Sequence, residues 1–202
     1  MIVDTKVKTG ASEIGNQCNN FENDGQLISN ARKDPAAFAQ LYRRHYEAIF
    51  GYCVHRLFER QAAEDVTSTV FLRAVENFGR FRGKHGKDFR NWLYAIASNA
   101  VSDHLRRSAR RGIIFKTVLE EAGKEHCESN EESPENLLLL KDAMLSLKPK
   151  YQTIITLRFF ENLKLTEIAE VLGKSPGTVR KQFARALAKL ERKLSFARRE
   201  VQ

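Results

Sequence analysis

The stretch Leu165-Thr166-Glu167-Ile168-Ala169-Glu170-Val171-Leu172-Gly173-Lys174-Ser175-Pro176-Gly177-Thr178-Val179-Arg180 constrains this chain more than any other. Ile168, Ala169 and Leu172 recur at steps that put them on one buried helix face. Gly173 permits a tight turn, and Ser175, followed by Pro176, caps a second helix. That helix carries its own apolar stripe of Val179, Phe183, Ala186, Leu187 and Leu190. Two helices joined by a short turn containing Gly make a helix-turn-helix, and the small Ala169 lets them approach closely.

The second of those helices sets Arg180, Lys181, Gln182, Arg185, Lys189, Arg192 and Lys193 beside its stripe, and only Glu191 opposes them. A recognition helix places its first residues on base edges in the major groove and its flanks on phosphates. Arg180, Lys181 and Arg185 fall opposite Val179 and Phe183, so they can face the groove. Arginine pairs bidentately with guanine O6 and N7, while Lys181 suits guanine or phosphate. Thr178 and the Gly177 amide sit at the helix N-terminus, a natural phosphate site. The plain alternative is a solvated basic face, and the preceding turn argues against it.

Upstream of this motif the helical period runs through most of the chain. Asp34 reads as the N-cap and Pro35 as the first residue of a helix bearing Leu41, Ile49, Phe50, Cys53 and Leu57. A shorter helix with Leu27, Ile28 and Ala31 precedes it, and a third helix holds Val66, Val70, Phe71, Ala74 and Val75. Then Phe78-Gly79-Arg80-Phe81-Arg82-Gly83-Lys84-His85-Gly86-Lys87-Asp88 breaks the pattern as a basic loop, with Asp88 expected to cap the next helix. Phe81 between Arg80 and Arg82 combines a stacking surface with phosphate-neutralising charge, as single-stranded nucleic acid binding requires; the competing expectation is a ring packed under its own loop. Trp92 and Tyr94 read as core or half-buried. The next helix ends in Arg106, Arg107, Arg110 and Arg111, more cations than its dipole needs.

Two segments lack this order. Residues 1–23 read as a flexible polar tail. Residues 112–134 hold Glu120, Glu121, Glu125, Glu128, Glu131 and Glu132 against Lys116 and Lys124, and read as a flexible acidic linker. The expectation is an all-α chain of two small helical domains, residues 24–111 and 135–196, the C-terminal one a helix-turn-helix.

Composition narrows the partner. The net charge of +9 over 202 residues favours an anionic one, and the acidic linker leaves that charge concentrated in the two domains. No apolar run is long enough to span a membrane, and the N-terminus lacks a secretion signal, so a cytoplasmic location is expected. Cys18, Cys53 and Cys127 are too scattered for disulfides or zinc, and the five histidines form no ligand set. No phosphate-binding Gly loop and no catalytic constellation is present, so neither enzyme activity nor a cofactor is expected.

Several stretches together resemble the extracytoplasmic-function sigma factors of the sigma-70 family. They are Asp34-Pro35-Ala36-Ala37-Phe38, Ala63-Glu64-Asp65-Val66 with Phe71-Leu72-Arg73-Ala74, and Phe89-Arg90-Asn91-Trp92-Leu93-Tyr94-Ala95-Ile96-Ala97-Ser98-Asn99 with Asp103-His104-Leu105-Arg106-Arg107. Leu157-Arg158-Phe159-Phe160-Glu161 and Thr166 to Gly173 complete the set. The resemblance implies core RNA polymerase, promoter DNA and an anti-sigma factor as partners. It puts polymerase binding on Asp65, Phe71 and Leu72, minus-ten DNA on Phe81, Arg82, Asn99, Arg106 and Arg107, and the minus-thirty-five element on the recognition helix. Ser68-Thr69 stands where relatives carry a glutamine and an acid, and Ala95 and Ala184 where they often carry an arginine or an aromatic. A stand-alone helix-turn-helix regulator would account for the second domain but leave the first without a purpose.

Overall fold

The structure, a computed structural model, describes residues 24–110 and 134–200, without the side chains of 134–137 and 196–200. The tail and the linker expected from the sequence lie outside the described residues. Those described form α1 (Asp24–Asn30), α2 (Pro35–Leu57), α3 (Arg60–Asn77), a 3-10 turn at Phe78–Arg80, and α4 (Gly86–Arg110). After the linker come α5 (Pro134–Leu145), α6 (Pro149–Phe159), α7 (Leu165–Leu172) and α8 (Pro176–Glu200). No strand occurs among the described residues.

Local chemistry sets the helix ends. Asp34 is extended and its carboxylate accepts from the Ala36 amide at 2.8 Å, with Pro35 opening α2. α4 begins two residues before the expected cap. Asp88 sits in its first turn and reaches back to accept from the Lys84 and His85 amides at 3.0 and 3.1 Å. That is the return half of a capping box, in which an acid inside the helix serves an amide ahead of it. Gly173 closes α7 with φ of 60°, the left-handed conformation that favours a residue without Cβ. Ser175 Oγ accepts from the Thr178 amide at 3.2 Å and starts α8.

The first four helices pack around Leu41, Ile49, Tyr52, Cys53, Val70, Phe71, Phe89, Leu93, Ala97 and Val101. Burial pushes the Cys53 thiol up to about 11, so it is an inert core residue. Asp24, fully buried, clips α1 to α2: its carboxylate accepts from Arg44 Nη1 at 2.6 Å and bonds His45 Nε2 at 2.8 Å. The second half closes over Met144, Leu147, Tyr151, Ile155 and Ala186.

The halves do not stand apart. α4 lies against α7 and α2 against α6, and the apolar core runs on from Leu93 and Ala97 to Ile154, Leu157, Leu163 and Ile168. Phe58, just past α2 with φ of 55°, packs against the Met144–Tyr151 cluster, with the Lys141 ammonium 5.8 Å from its ring centre. A bulky side chain in that backbone region is uncommon, and here its burial holds it.

Candidate nucleic-acid interfaces

In α8 the apolar stripe turns inward and the basic one outward. Val179 and Ala186 are fully buried, while Thr178, Arg180, Lys181 and Arg185 are all exposed. Ala184 and Ala188 lie between the cations on the same open face, so nothing bulky stops the helix from seating deep in a groove. The Thr178 and Ser175 hydroxyls bond at 2.8 Å, which fixes the geometry of the helix start. The four residues singled out in the sequence thus sit together on one accessible surface.

The basic loop is arranged differently from a freely exposed platform. Phe81 is only 6% exposed. Its ring packs against Trp92 at 4.9 Å, Phe89 at 5.7 Å and Phe78 at 6.1 Å, and Arg32 Nη2 donates to its carbonyl at 2.9 Å. The fit is tight: a Cβ added at Gly83 would come within 2.4 Å of Phe81 Cζ and 2.5 Å of Asp88 Cβ. The competing expectation, a loop aromatic packed on its own domain, describes Phe81. Four aromatic rings bury more apolar surface together than one ring gains by waiting in water.

What lies next to Phe81 is a cavity of about 300 Å³ lined by Arg73, Asn77, Arg80, Phe81, Trp92, Ile96 and Asn99. Phe81 forms part of its wall, Asn99 offers an exposed amide at its edge, and Arg73 and Arg80 supply positive charge. Trp92, Ile96 and Asn99 repeat at helical spacing, and the same face of α4 continues through Asp103 to Arg106 and Arg110. Arg106 Nη2 bonds Asp103 at 2.6 Å and Arg73 lies 3.7 Å from its other oxygen, so one carboxylate aligns two cations. Arg107 is exposed on the flank of that stripe. Arg82, exposed and bonded to the Gly79 carbonyl at 2.9 Å, stands on the loop rather than in the cavity. The sequence reading missed Arg73, Asn77 and Ile96 as lining residues. The spacing of Trp92, Ile96 and Asn99 was the available signal.

On α3 the structure separates the three residues assigned to polymerase. Asp65 is exposed and Leu72 is 60% exposed, but Phe71 is buried, edge-on to Tyr42 at 4.6 Å. Phe71 therefore points inward while Leu72 points outward, because neighbours one position apart on a helix point about 100° apart. Val75, read from the sequence as one of the apolar positions of this helix, is 55% exposed and lies about one turn after Leu72 on the same open side.

Among the described residues no helix is long and apolar enough to cross a membrane, and no cluster of His, Cys, Asp or Glu could hold a metal ion. The sigma-70 region 2 family model matches residues 41–111, and the sigma-70 region 4 model matches residues 137–190. The RNA polymerase sigma-H factor of Pseudomonas aeruginosa is 32% identical over 191 residues, covering 89% of this chain and 98% of that protein. This chain is a sigma factor of the sigma-70 family. Its similarity to the ECF RNA polymerase sigma factor BldN of Streptomyces coelicolor, 36% identical over 179 residues, places it in the extracytoplasmic-function group. That match covers 84% of this chain and 65% of the longer relative. The structure of CnrH in complex with the cytosolic domain of CnrY shares the fold, with a TM-score of 0.61 and 25% identity, covering 85% of this chain and 97% of that one. As a sigma factor it binds core RNA polymerase, recognises promoter DNA and directs the initiation of transcription.

Proposed function

We propose that this sigma factor divides its work between two domains, residues 24–111 and 135–196, joined by a linker over 112–134. The α8 face of Thr178, Arg180, Lys181 and Arg185 reads the minus-thirty-five duplex from the major groove. The α3–α4 cavity receives a base unpaired from the minus-ten element, with Asn99 reading it, and Arg106 and Arg107 hold the strand's phosphates. Arg82 adds charge where the strand enters. Asp65, Leu72 and Val75 form the polymerase-binding strip of α3, two exposed apolar side chains beside an acid.

The observation that carries this reading is the single face of α4, which runs from the cavity at Trp92, Ile96 and Asn99 into the arginines of its last turns. A base pocket continuous with a phosphate track is what single-strand capture requires. The protein works without catalysis of its own, in the cytoplasm where the polymerase is. Its regulator is an anti-sigma protein that covers the α3 strip, a partner of the kind CnrY is for CnrH.

Footprinting of single-stranded thymines with permanganate tests the division. Holoenzyme carrying Asn99→Ala should form closed complexes normally and open them poorly, and a pre-melted bubble should restore activity. Arg180→Ala should instead cost ~1–3 kcal/mol on the cognate minus-thirty-five duplex and much less on a scrambled one. Normal opening by Asn99→Ala would remove the cavity from the mechanism.

A further inference from the structure

Away from the promoter-reading face, the second half gathers cations around one corner of the fold. Lys189, Arg192 and Lys193 of α8 line a cavity of about 450 Å³ with Ser146 and Leu147, in the turn between α5 and α6. Lys148 and Lys150 flank Pro149, which opens α6 beside that turn. The Lys150 and Lys189 ammonium groups stand 5.2 and 5.7 Å from the centre of the same Tyr151 ring, so the two sets meet. All of these cations are exposed, and none pairs with a carboxylate among the described residues. Glu191 sits about 200° round α8 from both Lys189 and Lys193. Asp142, one turn before Ser146, does not line the cavity, and its charge acts on Lys141.

The backbone around the corner has the same bias. A helix N-terminus carries partial positive charge and is ordinarily stabilised by acids. The first turn of α6 holds none, and lysines stand there instead. At the end of α5 the carbonyls that would repel an anion are already taken. Those of Asp142, Ala143 and Met144 accept from Ser146 N, Ser146 Oγ and Leu147 N at 3.0, 2.7 and 3.1 Å. Gln152 Nε2 donates to the Leu145 and Leu147 carbonyls at 3.4 and 3.0 Å. Cations are left at the surface, and the nearby acceptors are spent.

We propose that this corner binds a condensed phosphate chain, either inorganic or the tail of a nucleoside triphosphate. Lys189, Arg192 and Lys193 are spaced three and four residues apart, which makes them neighbours on one helix face. The Arg192 fork matches two phosphate oxygens at once, and the lysines add point charges. Charge density selects the form of phosphate. A nucleic-acid strand carries about one charge per 3.4 Å, so a cavity of this size would receive roughly two of them. A condensed chain brings several into the same space. An acidic peptide would need an apolar anchor, and the lining offers only Leu147, itself 4% exposed. At 1.5 Å per residue Lys189 lies about 13 Å past Arg180 along α8, so the site and the promoter reading stand or fall separately.

Calorimetric titration of the free full-length chain with inorganic tripolyphosphate tests the site. Ionic strength is held near ~0.15 M, so that screening of long-range attraction stays constant. The parent should bind at a single site. Lys189→Gln combined with Lys193→Gln should weaken binding at least ~10-fold, with circular dichroism unchanged because both positions are exposed. Lys181→Gln combined with Arg185→Gln removes the same charge from the reading face and should leave binding within about twofold. ATP that binds as tightly or more tightly names the nucleotide tail as the source, and weaker ATP binding names the inorganic chain; both support the site. Equal weakening by the two pairs of substitutions, binding at several sites, or displacement by sulfate at matched ionic strength would overturn it, as general attraction to a basic chain. Tighter binding of single-stranded RNA or of polyglutamate, lost in the Lys189 and Lys193 variant, would also overturn it and give the corner to a nucleic acid or an acidic protein.

Discussion

Replacing Phe81 by alanine separates a wall of the minus-ten cavity from a reader within it. The ring is 6% exposed and touches Phe78, Phe89 and Trp92, with the closest ring centre at 4.9 Å. Truncating a buried phenylalanine to alanine costs ~3–5 kcal/mol, from lost burial and from the hole left behind. In a chain of this size each kcal/mol moves the midpoint of thermal unfolding by ~2–4 °C, so a fall of roughly 6–20 °C is expected. Asn99→Ala, at an exposed position, should stay within ~0.5 kcal/mol of the parent. The assay is thermal unfolding followed by circular dichroism, paired with permanganate footprinting of each holoenzyme on intact and pre-opened templates. Phe81→Ala should lose stability first, and a pre-melted bubble should not rescue it fully, because the cavity itself has collapsed. If its unfolding midpoint stays within what ~1 kcal/mol would shift while strand opening fails, the packing argument is refuted. The ring would then be one that swings out to stack on a base.

Two further outcomes follow from exposure and burial elsewhere. Leu72→Glu should weaken binding to core polymerase by about tenfold or more in a sedimentation or fluorescence titration, with the fold unchanged, since the side chain is 60% exposed. Phe71→Ala should act mainly through stability. Glu161 makes stability sensitive to pH: burial is the main cause that pushes its carboxyl up to about 7, against the lowering effects of the Tyr94 hydrogen bond and Arg90. Tyr94 and Arg90 of α4 and Cys53 of α2 lie near it, and His55 is beside the adjoining Phe160. A carboxyl whose affinity for a proton is higher in the folded than in the unfolded state stabilises the fold fully below its ordinary pKa of 4.5. That contribution fades as pH rises from there to about 7 and is gone above it. The midpoint of thermal unfolding should therefore fall from pH 5 to 7.5, and Glu161→Gln should flatten the profile; a variant with the parent's profile would assign the dependence to another group.

The helix boundaries were largely legible in the sequence because they depend on local chemistry. Asp34 before Pro35, Gly173 at the end of α7 and Ser175 at the start of α8 each act within three residues of themselves. The recognition face was legible for the same reason, since periodicity alone tells which side of α8 is apolar. Asp88 was misread by two residues because an acid in the first turn and an acid at the cap leave the same trace in a sequence. The burial of Phe71 and Phe81 was not legible because it depends on partners far along the chain. Tyr42 covers one, and Trp92 with Phe89 covers the other. The cavity was harder still, since it needs α3, the loop and α4 assembled before it exists.

The seam between the two halves, where α4 meets α7 and α2 meets α6, was illegible for a different reason. Each of its pairs joins residues whose separation in sequence is large: 77 positions for Arg90 and Glu167, 79 for Asn91 and Glu170, and 96 for Arg56 and Gln152. On its own helix each of these side chains is an ordinary polar residue, indistinguishable from one that faces water. α4 shows one apolar side, one cavity side and one polar side, and the apolar side joins the core of the second half. Closing the seam exchanges hydration for hydrogen bonds at little net gain per bond, and burying Arg56 with unmet donors subtracts from it. The apolar contacts of Phe58 and the continuous core must then supply most of the closing free energy. The polar pairs set the register in which the halves meet.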